Sequence, residues 1–581
     1  MAVALLTGSL LVGLLLLYKS VNLWRYVRLA KGTGLPYVIT PVLETEVLGL
    51  LATPFLRYIY HDYLNKGQGW PRWCRFTIKD WQWEDKRRAH DEYGDVFLCV
   101  SPEGIICYSA DAAMGWDVMN RRTEFTKPRD KYKLLEPYGP NVATAEGKTY
   151  RFHVRITAPP FGDLSGVNDL VWTETIYQTR RLCEAWAQET PRELQMDVNS
   201  LTLAVISLAG FGKRVDWTST SGENKDIPEG YKISFLKAIH DTTSYMVAIL
   251  LFPGWLLGLS PLRRAHVAHS QLDKYLRRMI RTEKRNIEHD SQHQSSVARG
   301  NLLTAVMRAS ALGGETSTSK AGQNGRKESF TEDEVMGNLF IYLLAGYETT
   351  ANAITYGLIT LALREDIQDK VIEEVDRIYK EAAAEGREGL SYKHDFEKLQ
   401  YTYGFMYETF RLYPGVILIT KMVNKPESII TETQRERKSY LLPAGTRVYL
   451  NSPAVHYSDR YWPEPEKLDP ARWYDSSSVP TARVNRDADL EDKKIVAADK
   501  TRHMRGTLLT FSDGARACLG RKFAQAEYIA FLAAVLKDYR VKLAPGQDPK
   551  VVERDINLRC AGKVTLAPLD NVKLKLEKRR K

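Results

Sequence analysis

The sequence has little cysteine, and none of it is arranged as a pair. Six cysteines in 581 residues form no C-x-x-C pair and no zinc-ligand spacing. Five of them are expected to be buried, reduced thiols, because so few thiols in so long a chain do not indicate a disulfide framework. The exception is Cys518. Zinc-finger, homeodomain and RNA-binding motifs are also missing, so the net charge of +11 does not indicate a nucleic-acid partner.

Long uninterrupted apolar runs are absent except at the N-terminus. Residues 2–18 carry no charge, and a run of this length is near the short end of what spans a bilayer. The basic residues that follow, with no acid among them, are Lys19, Arg25, Arg28 and Lys31. A cleavable signal peptide has the opposite charge order. Residues 1–24 are therefore predicted to be a transmembrane anchor with the rest of the chain in the cytosol. The alternatives are a buried core helix or a cleaved signal.

The remainder is predicted to be one domain. Residues 25–44 are basic and then rich in glycine and proline, which predicts a hinge, and residues 45–581 form the catalytic domain. Its pattern is mostly helical, with a few short apolar strands, which predicts a mainly α fold with small β-sheets. Two hairpins and a third strand region are predicted, at residues 95–100 with 104–110, at 439–452, and at 539–545 with 562–568.

Three further segments stand out by composition. Residues 244–262 are apolar but interrupted by proline and glycine, and they fit either a surface that dips into a membrane interface or a buried helix pair. Residues 311–328 and 476–502 are polar or charged and are predicted to be exposed loops.

The cysteine that stands apart lies in a dense motif. Residues 511–520 place Phe511, Gly514, Arg516, Cys518 and Gly520 in the pattern F-x-x-G-x-R-x-C-x-G. A cysteine thiolate can be the proximal ligand of a haem iron, and it needs nearby backbone N–H groups to hold its charge. A helical pattern follows Cys518, and the N-terminal dipole of a helix favours a thiolate. Arg516 can pair with a haem propionate, and Phe511 can shield the sulfur.

These residues resemble the cytochrome P450 family, and the resemblance covers nearly the whole chain. It implies the P450 fold behind one N-terminal transmembrane helix, haem b held by Cys518, and a monooxygenase reaction. Thr331 to Glu334 form a capping box that predicts a helix to about Leu363. Within it, residues 345–350 resemble the family's central helix, which implies that Glu348 relays protons and Thr349 donates a hydrogen bond on the oxygen side of the haem. A threonine bonded to its own helical turn is the alternative.

Scaffold residues of the family are also present. Glu408 and Arg411 match E-x-x-R, and the resemblance implies that Arg472 completes a structural ion network with them. Two propionate positions depart from the family. Tyr150 stands where tryptophan is usual and Val154 where arginine is usual, so Tyr150 would donate a hydroxyl, with Arg151, His153 or Arg155 as substitutes. Lys421 stands in place of another arginine, which keeps charge but loses bidentate geometry.

The resemblance implies a microsomal enzyme of filamentous-fungal type in the endoplasmic reticulum membrane. Its partners would be O2, a lipophilic substrate, and NADPH–cytochrome P450 reductase docking on a basic face, with NADPH serving indirectly. The basic face would comprise Lys148, Arg151, Arg155, Arg521 and Lys522. Two alternatives stay open: a haem enzyme that rearranges hydroperoxides or dehydrates without O2, and a haem sensor or carrier.

Overall fold

The computed structural model describes residues 2–162, 165–188, 193–215, 227–292, 301–315, 329–432, 437–474, 505–561 and 565–580. The helices are α1 (Ala2–Thr33), α2 (Val47–Ile59), α3 (His61–Asn65), α4 (Trp81–Asp85), α5 (Arg88–Tyr93), α6 (Ala112–Asn120), α7 (Arg129–Tyr132), α8 (Gly147–Thr157), α9 (Val167–Gln188), α10 (Leu194–Phe211), α11 (Phe235–Ser244), α12 (Met246–Leu251), α13 (Gly254–Leu259), α14 (Arg263–Gln292), α15 (Leu302–Glu315), α16 (Glu332–Leu363), α17 (Glu365–Ala384), α18 (Tyr392–Asp395), α19 (Gln400–Leu412), α20 (Ser452–His456), α21 (Arg521–Asp538) and α22 (Pro549–Leu558). The strands are β1 (Tyr37–Ile39), β2 (Val96–Ser101), β3 (Gly104–Ser109), β4 (Phe125–Thr126), β5 (Leu418–Val423), β6 (Glu427–Glu432), β7 (Arg437–Leu442), β8 (Arg447–Asn451), β9 (Tyr539–Leu543) and β10 (Leu574–Lys578).

Two compact units make up the chain. The first comprises Met1–Pro128, Tyr407–Cys518 and Glu553–Leu569, and the second comprises Arg129–Met406, Leu519–Val552 and Asp570–Lys581. The predicted class, mainly α with small β-sheets, is confirmed.

The first unit is built on a six-stranded sheet in the order β1-β2-β3-β8-β5-β4. The predicted hairpin of β2 and β3 is confirmed, with Leu98 opposite Cys107 and Cys99 opposite Ile106. An aromatic cluster packs against this sheet, with Phe97 stacked on Tyr108 at 5.6 Å and Trp81 edge-on to Tyr108 at 5.2 Å. Such ring pairs add specific geometry to the apolar burial that holds the sheet.

The predicted hairpin over residues 439–452 is wrong in its pairing. Both strands form, but β7 pairs with β6, whereas β8 pairs with β3 and β5. The turn between them is bound elsewhere, because Gly445 donates its N–H to Val423 O at 2.7 Å and Val423 N donates to Thr446 O at 2.9 Å. The apolar residues of β8 are fully buried in the large sheet, which a two-stranded ribbon could not achieve.

The N-terminal helix α1 is long and apolar enough, over Thr7–Thr33, to cross a membrane, and none of its apolar window is buried. Helix α10 passes the same test of length and composition, but it is almost wholly buried and is a core helix. The segment predicted as a hinge, 25–44, contains the last nine residues of α1 and strand β1, which pairs in parallel with β2. Ala30 is fully buried there.

The second unit is a helix assembly. Helix α16 packs on α10, and α21 packs on α9. Gly357 lets α16 approach α21 closely, because a Cβ there would lie 2.1 Å from the hydroxyl oxygen of Tyr528. The capping box is confirmed, since Thr331 accepts from the N–H of Glu334 at 3.2 Å and the Glu334 carboxylate accepts from the N–H of Thr331 at 2.9 Å.

The remaining sequence predictions have mixed outcomes. Strand β9 forms as predicted, but it pairs with β10, and residues 565–568 of the second predicted strand are not in a strand. Of the predicted loop 311–328, the first five residues belong to α15 and the rest lies outside the described residues, as does 476–502. The apolar segment 244–262 forms α12 and α13, whose apolar side chains are largely exposed. That exposure favours the interfacial surface over the buried helix pair.

Candidate active site

The loop that carries Cys518 is fixed by its own backbone. Cys518 donates its N–H to the carbonyl oxygen of Phe511 at 2.8 Å, and residues Gly514–Arg516 form a 3₁₀ turn inside that closure. Ser512 has φ of +56° and Gly514 has φ of +65°. A non-glycine residue in this left-handed region is strained and persists only where its surroundings impose it. The loop is therefore a preformed shape that its neighbours hold.

Those neighbours lie in the first unit. Thr510 donates its hydroxyl to the carbonyl of Phe410 at 2.8 Å, and the rings of Phe511 and Phe410 meet edge-on at 5.4 Å. Gly506 has φ of +73°, and a Cβ there would lie 2.1 Å from the carbonyl oxygen of Ala112 in α6. The loop is thus tied to the end of α19 and to α6.

Exposure separates Cys518 from the other cysteines. Its side chain is exposed, Cys560 is half-buried, and the other four are buried. The expectation of five buried thiols is therefore wrong for Cys560. Burial raises the pKa of Cys107 to about 12 and that of Cys74 to about 11, which keeps these thiols protonated. Gly520 is the N-cap of α21 and accepts from Ala524 N at 2.9 Å, so a helix begins directly after the exposed sulfur.

Arg411 is the centre of a fully buried polar network. Its Nε and Nη2 each donate to the Glu408 carboxylate at 2.8 Å, which is the bidentate geometry that an arginine fork favours. Its other bonds go to the backbone carbonyls of His456 (2.9 Å), Pro465 (2.6 Å) and Lys467 (3.0 Å). All five guanidinium N–H donors are therefore used.

Glu408 is equally well bound. Besides Arg411 it accepts from the indole N–H of Trp473 and the backbone N–H of Asp469, both at 3.0 Å. Arg472 lies 3.6 Å from the same carboxylate and donates to the carbonyl of Glu464 at 3.2 Å. The structure thus brings together the three residues assigned to the ion network and ties them to segment 464–473.

His456 is a residue of this region that sequence reasoning missed. It is fully buried, with Nδ1 2.9 Å from the carbonyl of Arg411 and Nε2 2.8 Å from the N–H of Leu509. Burial, reinforced by the Arg411 charge, lowers its pKa to about 3. His90, in α5, is also buried, and burial with the Arg87 charge lowers its pKa to about 4.

The two neutral histidines predict a loss of stability in acid. Both folded-state pKa values lie below the usual 6.5 of an unfolded chain, so the unfolded chain binds more protons between about pH 6.5 and 4. The free energy of unfolding should therefore fall as pH falls through this window, by up to about 1.4 kcal/mol per pH unit for each histidine. Denaturant unfolding at pH 7, 6 and 5 measures the slope. His90→Asn, which removes one titrating group, should flatten it, and an unchanged slope would contradict the linkage.

In the second unit, the middle of α16 is accessible to solvent on one face. Leu339, Leu343 and Glu348 are buried, whereas Ala345, Gly346 and Thr349, at positions i, i+1 and i+4, are at least partly accessible. The Thr349 hydroxyl donates to the carbonyl of Ala345 at 2.7 Å, which is the bond to its own turn. A relay through Thr349 requires this hydroxyl to rotate away from that carbonyl.

Gly346 packs against a helix that the sequence did not indicate. A Cβ there would lie 3.1 Å from Cγ1 of Ile206 in α10, so the missing side chain admits that helix. One residue on, the hydroxyl of Thr202 donates to the carbonyl of Tyr347 at 3.0 Å. Helix α10 therefore fixes α16 immediately before Glu348 and Thr349.

Comparison with known proteins decides the family. Residues 69–564 match the description of the family Cytochrome P450. The chain belongs to this family. It is 60% identical over 570 residues to "Cytochrome P450 monooxygenase prx9" of Penicillium rubens and equally to "Cytochrome P450 monooxygenase ORF6" of Penicillium roqueforti, covering 97% of this chain and 96% of each relative. The chain is a haem-thiolate P450 monooxygenase.

More distant relatives extend the comparison. The P450 is 25% identical over 578 residues to the "Phomenoic acid biosynthesis cluster cytochrome P450 monooxygenase" of Leptosphaeria maculans, covering 95% of both chains. The solved structure of a cytochrome P450, CYP102L1, matches it with a TM-score of 0.60 at 19% identity, over 85% of this chain and 93% of that chain. That likeness confirms the P450 fold.

The loop that carries Cys518 fits the haem that the family carries. The sulfur is exposed at the end of a backbone-closed loop, and thiolate ligands of iron need this combination of access and fixed position. Lys421, in β5 opposite Val448, is 4% exposed. Tyr150 is 6% exposed in α8. A tyrosine hydroxyl can donate a hydrogen bond to a carboxylate, and a lysine ammonium can pair with one, so both residue types suit a propionate.

His153 is not available as a substitute propionate donor in the P450, contrary to one sequence expectation. It is fully buried, with Nε2 3.3 Å from the Glu334 carboxylate and Nδ1 3.2 Å from the side-chain amide of Asn338. Asn338 also accepts from the N–H of Val142 at 2.9 Å. His153 therefore joins α8 to α16. Arg151 and Arg155 are exposed, and Arg155 lies over the Phe152 ring at 5.7 Å.

Proposed function

We propose that this P450 is a membrane-anchored enzyme that inserts one atom of O2 into a lipophilic substrate of fungal secondary metabolism, with NADPH electrons delivered by NADPH–cytochrome P450 reductase. The observation that carries the proposal is the exposed Cys518 sulfur on a closed, strained loop. The Leptosphaeria relative is named for a biosynthetic cluster, which supports a place in secondary metabolism.

The chemistry divides between haem and protein. When bound, haem b supplies the iron that takes up and activates O2. Cys518 is proposed as its thiolate ligand, with Arg516, Tyr150 and Lys421 for the propionates, Phe511 beside the sulfur and Gly520 for the backbone turn. Glu348 and Thr349 are proposed to move protons, so that one oxygen atom leaves as water. Thr349 does so by turning its hydroxyl from the Ala345 carbonyl.

Thr349→Ala tests the monooxygenase reaction. Proton transfer by a positioned group contributes roughly 10²- to 10⁴-fold to a rate, so product per NADPH should fall about tenfold or more while NADPH oxidation continues. The wild type must first form product only with reductase, NADPH and O2. That requirement separates the proposal from a hydroperoxide-rearranging or dehydrating enzyme, and turnover separates it from a haem sensor.

Thr355→Ala is the matched control. Thr355 lies on the same helix and makes the same bond to its own turn, from its hydroxyl to Ala351 at 2.8 Å, but it is buried. It should stay coupled. Tight coupling in Thr349→Ala, or equal uncoupling in both variants, would count against the relay.

The reductase is proposed to dock on a basic face of the second unit. Lys148, Arg151 and Arg155 lie at positions i, i+3 and i+7 of α8, so they share one side of the helix, and all three are exposed. Arg521 and Lys522 begin α21 and are partly exposed. Cations in such an array attract an acidic flavoprotein and speed its association at low salt.

The localisation proposed is the endoplasmic reticulum membrane, with α1 as a single span and the catalytic domain in the cytosol. The basic residues that follow the apolar part of α1 support this orientation. A second contact is proposed at residues 246–262. There Trp255 is 69% and Leu259 84% exposed, and Arg263 and Arg264 follow at the start of α14. Exposed apolar side chains beside arginines suit the interface of an anionic bilayer.

Trp255 reports on this contact. The difference in fluorescence between wild type and Trp255→Phe gives the emission of Trp255. In full-length protein reconstituted into bilayers with brominated acyl chains, bromine should quench that emission. Trp73, which is also exposed at 64%, supplies a comparison in Trp73→Phe. If bromine quenches the Trp255 emission no more than it quenches a water-exposed tryptophan, the proposal of a second membrane contact is wrong.

A further inference from the structure

His456 binds two backbone groups that lie far apart in the sequence. It ends α20, is fully buried, and is bound through both ring nitrogens. Nδ1 lies 2.9 Å from the carbonyl oxygen of Arg411, and Nε2 lies 2.8 Å from the backbone nitrogen of Leu509. A carbonyl only accepts and an N–H only donates, so Nδ1 must carry the hydrogen and Nε2 the lone pair. The ring is therefore held as one neutral tautomer.

The two groups belong to different parts of the first unit. Arg411 lies in the last turn of α19 and is the centre of the buried ion network. Leu509 stands two residues before Phe511, whose carbonyl accepts the N–H of Cys518 at 2.8 Å. The backbone carbonyl of His456 itself accepts from Arg411 at 2.9 Å. One imidazole thus connects the network to the start of the cysteine loop.

The loop needs such a connection because it is strained. Ser512, a non-glycine residue, sits at φ of +56°, and such a conformation persists only when neighbours impose it. Two bonds reach the loop from outside near Leu509: one joins the N–H of Leu509 to His456, and the other joins the Thr510 hydroxyl to the carbonyl of Phe410 at 2.8 Å. Without the imidazole acceptor, the N–H of Leu509 would be buried and unpaired, and the loop would shift to satisfy it.

We propose that His456 is a positioning residue for Cys518: it fixes the entry of the cysteine loop so that the sulfur is presented to the haem iron. The proposal rests on the assignment of Cys518 as the haem ligand. The role differs from that of the E-x-x-R pair. The Arg411 side chain binds Glu408 and the carbonyls of His456, Pro465 and Lys467, and none of these belongs to residues 505–518.

The test compares full-length, haem-loaded variants. His456→Leu keeps apolar volume but removes the donor and the acceptor. Among folded, haem-containing molecules, the fraction whose reduced CO complex shows thiolate ligation should fall several-fold, and the reduction potential should shift. His456→Gln keeps one donor and one acceptor on a planar amide, so it should recover most of the thiolate-ligated fraction.

His90→Leu is the matched control. His90 is also fully buried and neutral, with Nδ1 near the carbonyls of Gly94 and Asp95 and Nε2 3.2 Å from the Asn451 amide, and none of these groups belongs to the cysteine loop. Its loss should lower the unfolding temperature but leave the thiolate spectrum of the folded fraction intact. A merely structural role for His456 would make the two leucine variants alike.

Each outcome has a clear meaning. If the wild type shows no thiolate spectrum, the ligand assignment fails. If the wild type shows the thiolate spectrum and His456→Leu keeps it fully, the positioning role of His456 is wrong while the ligand assignment stands. Should His456→Leu not fold, amide hydrogen exchange in the wild type decides: the Leu509 N–H should exchange as slowly as core amides, and fast exchange would overturn the proposal.

Discussion

Arg411→Lys should abolish the formation of folded, haem-loaded protein. The Arg411 side chain is fully buried and uses five N–H donors on one carboxylate and three backbone carbonyls. Lysine has three donors and no planar fork, so at least two buried acceptors would lose their partner. Breaking a buried pair costs about 3–5 kcal/mol, against a total folding stability of about 5–15 kcal/mol.

The measurement is the haem content of purified protein together with its unfolding midpoint. Arg364→Lys is the control, because Arg364 pairs with Asp366 at 2.8 Å on the surface, where both side chains are well exposed. Such a pair contributes about 0–1 kcal/mol, so this variant should behave as the wild type. A wild-type haem content and unfolding midpoint in Arg411→Lys would contradict the stabilising role of the five bonds.

The sequence predicts those parts of the site whose chemistry depends on residue identity at short spacing. Cys518 stands in a ten-residue motif, and Glu408 and Arg411 share a helix face by their spacing alone. The capping box at Thr331 is local in the same way, and it begins the helix where predicted. Each of these residue patterns lies within one turn or loop, so it can be recognised without knowledge of the tertiary contacts.

What the sequence could not predict depends on backbone groups from distant segments. His456 is one of 11 histidines, and nothing beside it indicates that the N–H of Leu509, 53 residues on, needs an acceptor. The pairing of β8 with β3 and β5 was not predicted for the same reason, because an apolar strand pattern does not indicate which strands lie beside it. His153 was one of three alternatives for a substitute propionate donor. Its bonds to Glu334 and Asn338 could not be predicted, because they arise only from the packing of α8 on α16.

Cys518→Ala should remove thiolate ligation completely. Four of the other five cysteines are buried, and burial raises the thiol pKa of Cys74 to about 11 and that of Cys107 to about 12, so these thiols stay protonated and are poor substitutes for Cys518. Cys560→Ala is the control, because Cys560 is half-buried and lies outside the loop. It should keep the ligand and the activity of the wild type.

The absorption spectrum of the reduced, CO-bound protein, recorded for the wild type and for Cys518→Ala, tests the haem assignment most directly. The wild type should show the long-wavelength band that only a thiolate ligand gives, and the variant should lack it while Cys560→Ala retains it. The same band in Cys518→Ala, or a wild-type protein that binds no haem when supplied with it, would contradict the assignment of Cys518 as the iron ligand.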